Sequence, residues 1–260
     1  MTPIWSRVWA RIAPLVALLL LLDAARARAI DFYEIQIYTV DTVLLDHLEL
    51  ELHSNSVTTA TGQLAHENLP VYQIHETLEA TYGITPHIEV GQYFATGKLG
   101  DGSYEYAGSR SKVHFGLPFS DDWPIRLGGN VELDYMRYQA EDNPLTLELR
   151  PILETDYRGL SLVANLAFEK PFEGPNHDMQ FAPSGMITYQ LLRWLDPGVE
   201  YYGDMSQITH LPAVEAQQHF IVPALNFDLL PRLELNLGVG FGLTRASNGT
   251  FIKSIVGWQF

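Results

Sequence analysis

The sequence predicts an all-β fold, a transmembrane antiparallel up-and-down β-barrel of about twelve strands formed by residues 47–260 as one domain. Three observations carry that reading. Apolar and polar residues alternate with a period of two over most of the chain beyond residue 47. Short turns alternate with longer polar connections, and no helical periodicity competes with either pattern. A period of two puts one face of each strand against an apolar medium and the other against a polar one.

Residues 1–29 read as an export signal. Arg7 and Arg11 give a positive front, the run from Ile12 to Leu22 is uncharged and apolar, and Ala27-Arg28-Ala29 fits a small-x-small cleavage site. The run is too short to span a bilayer as a helix, which takes about 20 apolar residues. Its removal takes away four of the 16 Lys and Arg and one of the 31 Asp and Glu, leaving 12 against 30, a formal charge of −18. A chain so acidic is a poor partner for nucleic acid, whose phosphates need a cationic surface. It has no cysteine, so an exported chain here must hold together without disulfides, and closing a sheet on itself is one way to do so. Residues 30–46, which include DFYEIQIYTVDTVLLD, form an N-terminal lead-in with three readings: a periplasmic approach, an extra strand, or a short plug.

The strands follow in order. HLELELHSNSV sets Leu48, Leu50 and Leu52 against Glu49, Glu51 and His53. HETLEATYGITPHIEVGQYF is a strand, a turn at Gly83 to His87, and a strand. IRLGGNVELDYMRY sets Ile125, Leu127, Val131, Leu133 and Tyr135 against Arg126, Asn130, Glu132 and Asp134. GLSLVANLAFE puts Leu160, Leu162, Ala164, Leu166 and Phe168 on one face. RLELNLGVGFGLT alternates from Leu233 to Leu243, and its glycines precede no helix, so GVGFG is not a nucleotide loop. TFIKSIVGWQF ends the chain with Ile252, Val256, Trp258 and Phe260 on one face.

Connections near Pro86, Pro231, 157–159 and 193–197 are short. Those near Asp101, Asp142 and Asp204 are long, which places the former on the periplasmic side and the latter outside. Tyr72, Tyr82, Tyr93, Tyr135, Tyr138, Trp123, Tyr157, Tyr189, Trp194, Tyr201 and Trp258 cluster where strands meet connections, as interfacial girdles do. Pro151, Pro183 and Pro223 fall inside strand runs and mark either bulges or a shifted strand boundary, because proline donates nothing to a ladder.

A last strand closing on an aromatic carboxyl terminus, with Val256, Trp258 and Phe260 on its apolar face, resembles the C-terminal signature of Gram-negative outer-membrane barrels. That resemblance implies residence in the bacterial outer membrane, with the bilayer and the outer-membrane assembly machinery as partners. Residues 75–94 are similar to a strand-turn-strand motif of the MetA-pathway phenol-degradation family of outer-membrane proteins. Glu79, Thr81, Tyr82, Gly83, Ile84, Thr85, Glu89, Val90 and Gly91 carry the match. The resemblance implies a channel or uptake protein for small, often hydrophobic compounds, and brings no catalytic residues with it.

In a barrel of this size the polar face points inward. The expected lumen lining is therefore Glu49, Glu51, Glu79, Arg126, Glu132, Asp134, Glu148, Arg150, Glu154, Glu234 and Lys253. Basic partners are expected to be chiefly Arg126, Arg150 and Lys253, so at most two of Glu132, Asp134, Glu148 and Glu154 are paired and the interior favours cations over anions. Its solute would be small and neutral, hydrophobic or cationic. Two alternatives stand beside the channel: a structural barrel with a plugged lumen, and a membrane-embedded lipid hydrolase, for which Ser109, Ser111 and His114 are the nearest residues. No enzyme and no cofactor are expected. A metal could use His53 and His75 with Glu51 or Glu79, but no HxH or HExxH spacing supports one, and none is expected.

Overall fold

The computed structural model describes residues 31–59, 74–98, 102–120, 122–137, 140, 143–175, 177–247 and 249–260. The signal expectation, with Tyr72 and Tyr138 of the expected girdles, lies outside them. Twelve strands follow in chain order: β1 (Leu48–Thr59), β2 (Ile74–Thr85), β3 (Ile88–Lys98), β4 (Tyr104–Gly116), β5 (Arg126–Met136), β6 (Leu145–Tyr157), β7 (Leu160–Pro171), β8 (Gln180–Tyr189), β9 (Leu195–Asp204), β10 (Gln218–Leu230), β11 (Leu233–Gly242) and β12 (Thr250–Gln259). Each is antiparallel to its sequence neighbours, and β12 returns to β1, so the sheet is a closed barrel without an edge. At that seam Leu50 faces Trp258 and Leu52 faces Val256, and the amide of Phe260 donates to the Leu48 carbonyl at 2.7 Å.

The outer wall is apolar. Leu52, Leu78, Phe94, Val113, Leu133, Leu149, Ile187, Val199, Phe241, Ile252 and Val256 all point away from the lumen and are exposed. A wall of that extent is stable against lipid and not against water. Tyr82, Trp123, Tyr157, Tyr189, Trp194 and Trp258 ring the rim with the short connections, and Tyr135 lies exposed near the opposite rim. Tyr93 departs from the expected girdle: it is buried in the lumen, because it shares the inward parity of Glu89 and Gly91 on β3.

The strand prolines do not create bulges. Register shifts occur instead at Val57/Thr59, Gly83/Thr85, Ala95/Thr96 and Asp228/Leu230. Each proline leaves its strand in register and costs pairing on one side only. Pro223 pairs with Val199 of β9 while the β10–β11 ladder skips from Ile221 to Ala224. Pro151 pairs with Gly129 while the β6–β7 ladder skips from Leu149 to Ile152. Pro183 pairs with Leu166, and the β8–β9 ladder holds only the five pairs from Ser184↔Tyr202 to Thr188↔Gly198, with Pro197 just beyond.

Residues 31–43 run inside the barrel. They add no strand to the sheet; the bridge between Leu45 and Gly83, at the rim where β1 begins, is isolated. Phe32 packs on His75 and Phe251 in the half of the lumen nearer the long connections. Val43 reaches Glu89 near the short-turn rim, where Thr42 donates to the Pro86 carbonyl at 3.3 Å. Phe32, Ile35, Ile37, Tyr38 and Val40 form a core with Val57, Ile152, Val163, Phe220, Val222 and Phe251 of the wall. At Gly83 an added Cβ would lie 2.3 Å from the Leu44 carbonyl oxygen, so glycine is what lets the segment turn so closely over β2.

Candidate functional site in the barrel lumen

Register brings the inward residues into rows. One row passes from Glu234 through Gly257, Glu51, Glu79, Tyr93 and Arg110 to Asp134, crossing seven neighbouring strands from β11 to β5. A second joins Lys112, Glu132, Glu148 and Glu169. Glu49, Glu51 and Glu234 reach the lumen near the short-turn rim, and Arg126 and Glu154 meet at the same rim on the far wall. Glu79, Glu132, Glu148, Glu154 and Lys253 are buried.

Within these rows the charges pair selectively. Arg150 grips Glu148 with two bonds of 2.6 and 2.9 Å. Arg126 meets Glu154 at 2.5 Å and Asp41 of the luminal segment at 2.6 Å. Lys253 reaches Glu200 at 2.7 Å and the Tyr202 hydroxyl at 3.1 Å. Two further bases lie inside that the alternation did not reveal. Lys112 stands 2.5 Å from Glu79 and 3.3 Å from Glu89. Arg110 lies 3.7 Å from Asp134 and also pairs with Asp31 and Glu34. The expectation of chiefly three luminal bases is thereby corrected: Asp134, Glu148 and Glu154 each have a cation nearby, and Glu132 takes the Asn130 amide. The reason is local. Arg110 lies between Ser109 and Ser111, and Lys112 has the apolar Val113 on one side only, so neither stood out against an apolar face.

The wall holds the luminal segment by its backbone. Asn165 accepts from the Tyr38 amide and donates to the Tyr38 carbonyl, both at 2.8 Å, as a neighbouring strand would. Glu154 takes the Val40 amide at 2.7 Å, Glu89 the Val43 amide at 2.5 Å, and Asn55 donates to the Phe32 carbonyl at 2.8 Å. These are the bonds a buried extended chain requires when no strand lies beside it. The Tyr38 ring is flanked by Lys112 and Arg150, each 4.9 Å from its centroid, and its hydroxyl meets that of Tyr93 at 2.6 Å.

Glu51, His53 and Glu79 bring ligand atoms within 4.8 Å of one another. Lys112 already supplies the positive charge there, and His75 lies apart, stacked on Phe32 and perpendicular to the Tyr33 ring. Ser111 is exposed on the outer face whereas His114 is buried inside, so Ser111 and His114 lie on opposite faces of the wall; Ser109 shares Ser111's parity.

Among the described residues two spaces lie around the segment. A chamber of about 310 Å³ at the short-turn rim lies between residues 36–43 and inward residues of β1–β4 and β8–β12. A smaller one of about 80 Å³ lies towards the other rim, lined by Glu34, Arg110, Asp134, Glu148, Arg150 and Asp204 among others. In the larger chamber both lysines are already paired. Among the described residues Glu49, Glu51, Asp228 and Glu234 have no lysine or arginine within 4 Å.

A closed twelve-stranded barrel with an apolar exterior and a charged interior has the fold of outer-membrane β-barrel channels. Three solved structures to which it is similar are of that kind. The COG4313 outer membrane channel from Pseudomonas putida F1 superposes with a TM-score of 0.62 at 11% identity, covering 87% of this chain and 100% of that one. The KdgM porin gives 0.56 at 10% identity over 82% and 99%, and the NanC porin 0.53 at 9% over 82% and 98%. No protein-family model matches the chain, and no curated protein matches it in sequence.

Proposed function

We propose that this chain is an outer-membrane channel for small solutes, with its pathway running past the luminal segment and selective for cations and neutral molecules over anions. The observation that supports it most directly is the larger chamber, whose carboxylates outnumber the charges available to neutralise them. Unpaired acid in a confined aqueous space raises the local cation concentration and repels anions, an effect that fades as salt screens it. The KdgM porin has been solved with oligogalacturonate, a polyanion; an interior this acidic is ill suited to such a guest. A small neutral or cationic solute fits it better.

Reversal potentials across a salt gradient in planar bilayers test the proposal. Cation preference that shrinks between low and high salt is expected, and Glu51→Gln with Glu234→Gln should reduce it. Anion preference would overturn the reading. A plugged structural barrel is the second reading, favoured by the backbone bonds that fix residues 31–43 in the lumen. Absence of both conductance and solute flux in the intact chain would decide for it.

A further inference from the structure

We infer that the chamber at the short-turn rim is a binding site for a protonated organic amine with a short alkyl portion. The inference deepens the channel reading by naming a solute class, but the site itself rests on geometry that needs no flux. Glu51 and Glu234 lie on β1 and β11 with only Gly257 of β12 between them in register. A Cβ at Gly257 would lie 3.3 Å from Glu51 Oε1 and 3.7 Å from Glu234 Cβ, so the glycine keeps open the gap that the two acids flank. Neither acid has a lysine or arginine partner among the described residues; Glu51 has the His53 imidazole at 3.6 Å and accepts from the Gln36 amide at 3.5 Å, and Glu234 has no ion-pair partner among them.

An independent observation points to a missing donor. Gln36 Oε1 and Asn236 Oδ1, both on the chamber wall, are buried acceptor atoms with no hydrogen-bond partner. His114, on the same wall and 1% exposed, has no side chain bonded to either ring nitrogen. Buried polar atoms left without partners are costly, so a chamber that gathers several is one whose occupant, solvent or solute, supplies the bonds. An ammonium group carries three donors and no acceptor, and matches a wall of carboxylates and amide oxygens.

A metal ion fits less well. Among the described residues the one set of converging ligand atoms is Glu51, His53 and Glu79, and Lys112 Nζ already lies 2.5 Å from Glu79. A divalent cation there would sit beside that charge. The chamber wall also includes Ile37, Met186 and Ile255, apolar surface that a hydrated ion cannot use and an alkyl chain can.

Calorimetric titration of the refolded full chain in detergent, with butylammonium as the probe, tests this. Butan-1-ol, butyrate and calcium chloride serve as comparisons. Saturable binding of butylammonium, with no saturable binding of the alcohol or the carboxylate, is expected. It should weaken at least tenfold in Glu51→Gln/Glu234→Gln, and severalfold in Gly257→Ala, which narrows the gap without changing the charge. Glu215→Gln, at an exposed position outside the strands, should bind as the parent does. Heat-modifiable migration of each variant shows that its barrel has formed. Failure of butylammonium to bind, binding indifferent to the paired amide change, or calcium binding in its place would overturn the inference. Liposome swelling separates the two readings: binding without flux removes the channel and keeps the site, and flux without binding does the reverse.

Discussion

Lys253 and Glu200 form an ion pair whose side chains are 1% and 3% exposed, inside a wall that is apolar on its other face. Coulomb attraction at 2.7 Å and the added bond from Lys253 to Tyr202 compensate for lost hydration only while both charges remain. Lys253→Met should therefore strand Glu200 and destabilise the barrel by about 3–5 kcal/mol, the usual cost of breaking a buried pair. Lys253→Met with Glu200→Gln should recover much of that loss. Urea unfolding of the refolded protein, followed by tryptophan fluorescence, measures both; equal stability of Lys253→Met and the parent would show the pair to be hydrated. The residue scale is also where the sequence was least legible. Parity placed Glu132 and Glu148 inside because large apolar residues alternate with them, but Arg110 lies between two serines and Lys112 between Ser111 and Val113, which gave little such contrast. Tyr93 resembled a girdle residue for the same reason: ring chemistry suits both a headgroup zone and a buried hydrogen bond to Tyr38.

At the scale of elements, strands were readable and the luminal segment was not. A strand of this wall meets lipid on one side and a polar lumen on the other, which imposes alternation. Much of residues 31–43 is enclosed, so Phe32, Tyr33, Glu34 and Ile35 are buried in succession and no alternating face is distinguished. Nothing local separates such a segment from an extra strand; what does is Asn165, 127 positions away in sequence from Tyr38. Removing residues 31–43 takes the segment from between the chambers, so the deletion variant should conduct severalfold more than the parent in planar bilayers. Unchanged conductance would mean that the pathway never passed the segment. The last strand carries its own expectation. Val256, Trp258 and Phe260 face outward on β12, which closes the barrel against β1. We propose that this face is what the assembly machinery recognises, and Phe260→Asp should lower the amount of folded protein in the outer membrane. The charge also meets lipid near the interface, at a cost of about 0–1 kcal/mol, too little to unfold the barrel. Quantitative immunoblotting of membrane fractions checks it, and parent-like levels would make the terminal face incidental.

For the whole molecule, the alternation of short and long connections specified which strand ends share a rim. The structure puts the connections after β2, β4, β6, β8 and β10 at one rim, together with Leu48 and Phe260. The short-turn rim should be periplasmic. Single cysteines placed at Pro86 and at Asp142 in this cysteine-free chain report the orientation in intact cells: position 142 should label with an impermeant maleimide and position 86 should not. The opposite pattern would invert the barrel.

Residues 31–43 thread the barrel as an axle threads a ring. The barrel is a ring and the segment an axle tethered to that same ring at residues 44–47, beside the short-turn rim. Its far end, at Phe32, lies in the other half. The axle can therefore be withdrawn only by drawing that end back through the whole ring. A stopper wider than the lumen, attached on the residue-31 side, would turn a set of breakable hydrogen bonds into a mechanical bond, which no denaturation milder than opening the β1–β12 seam or another ladder could undo.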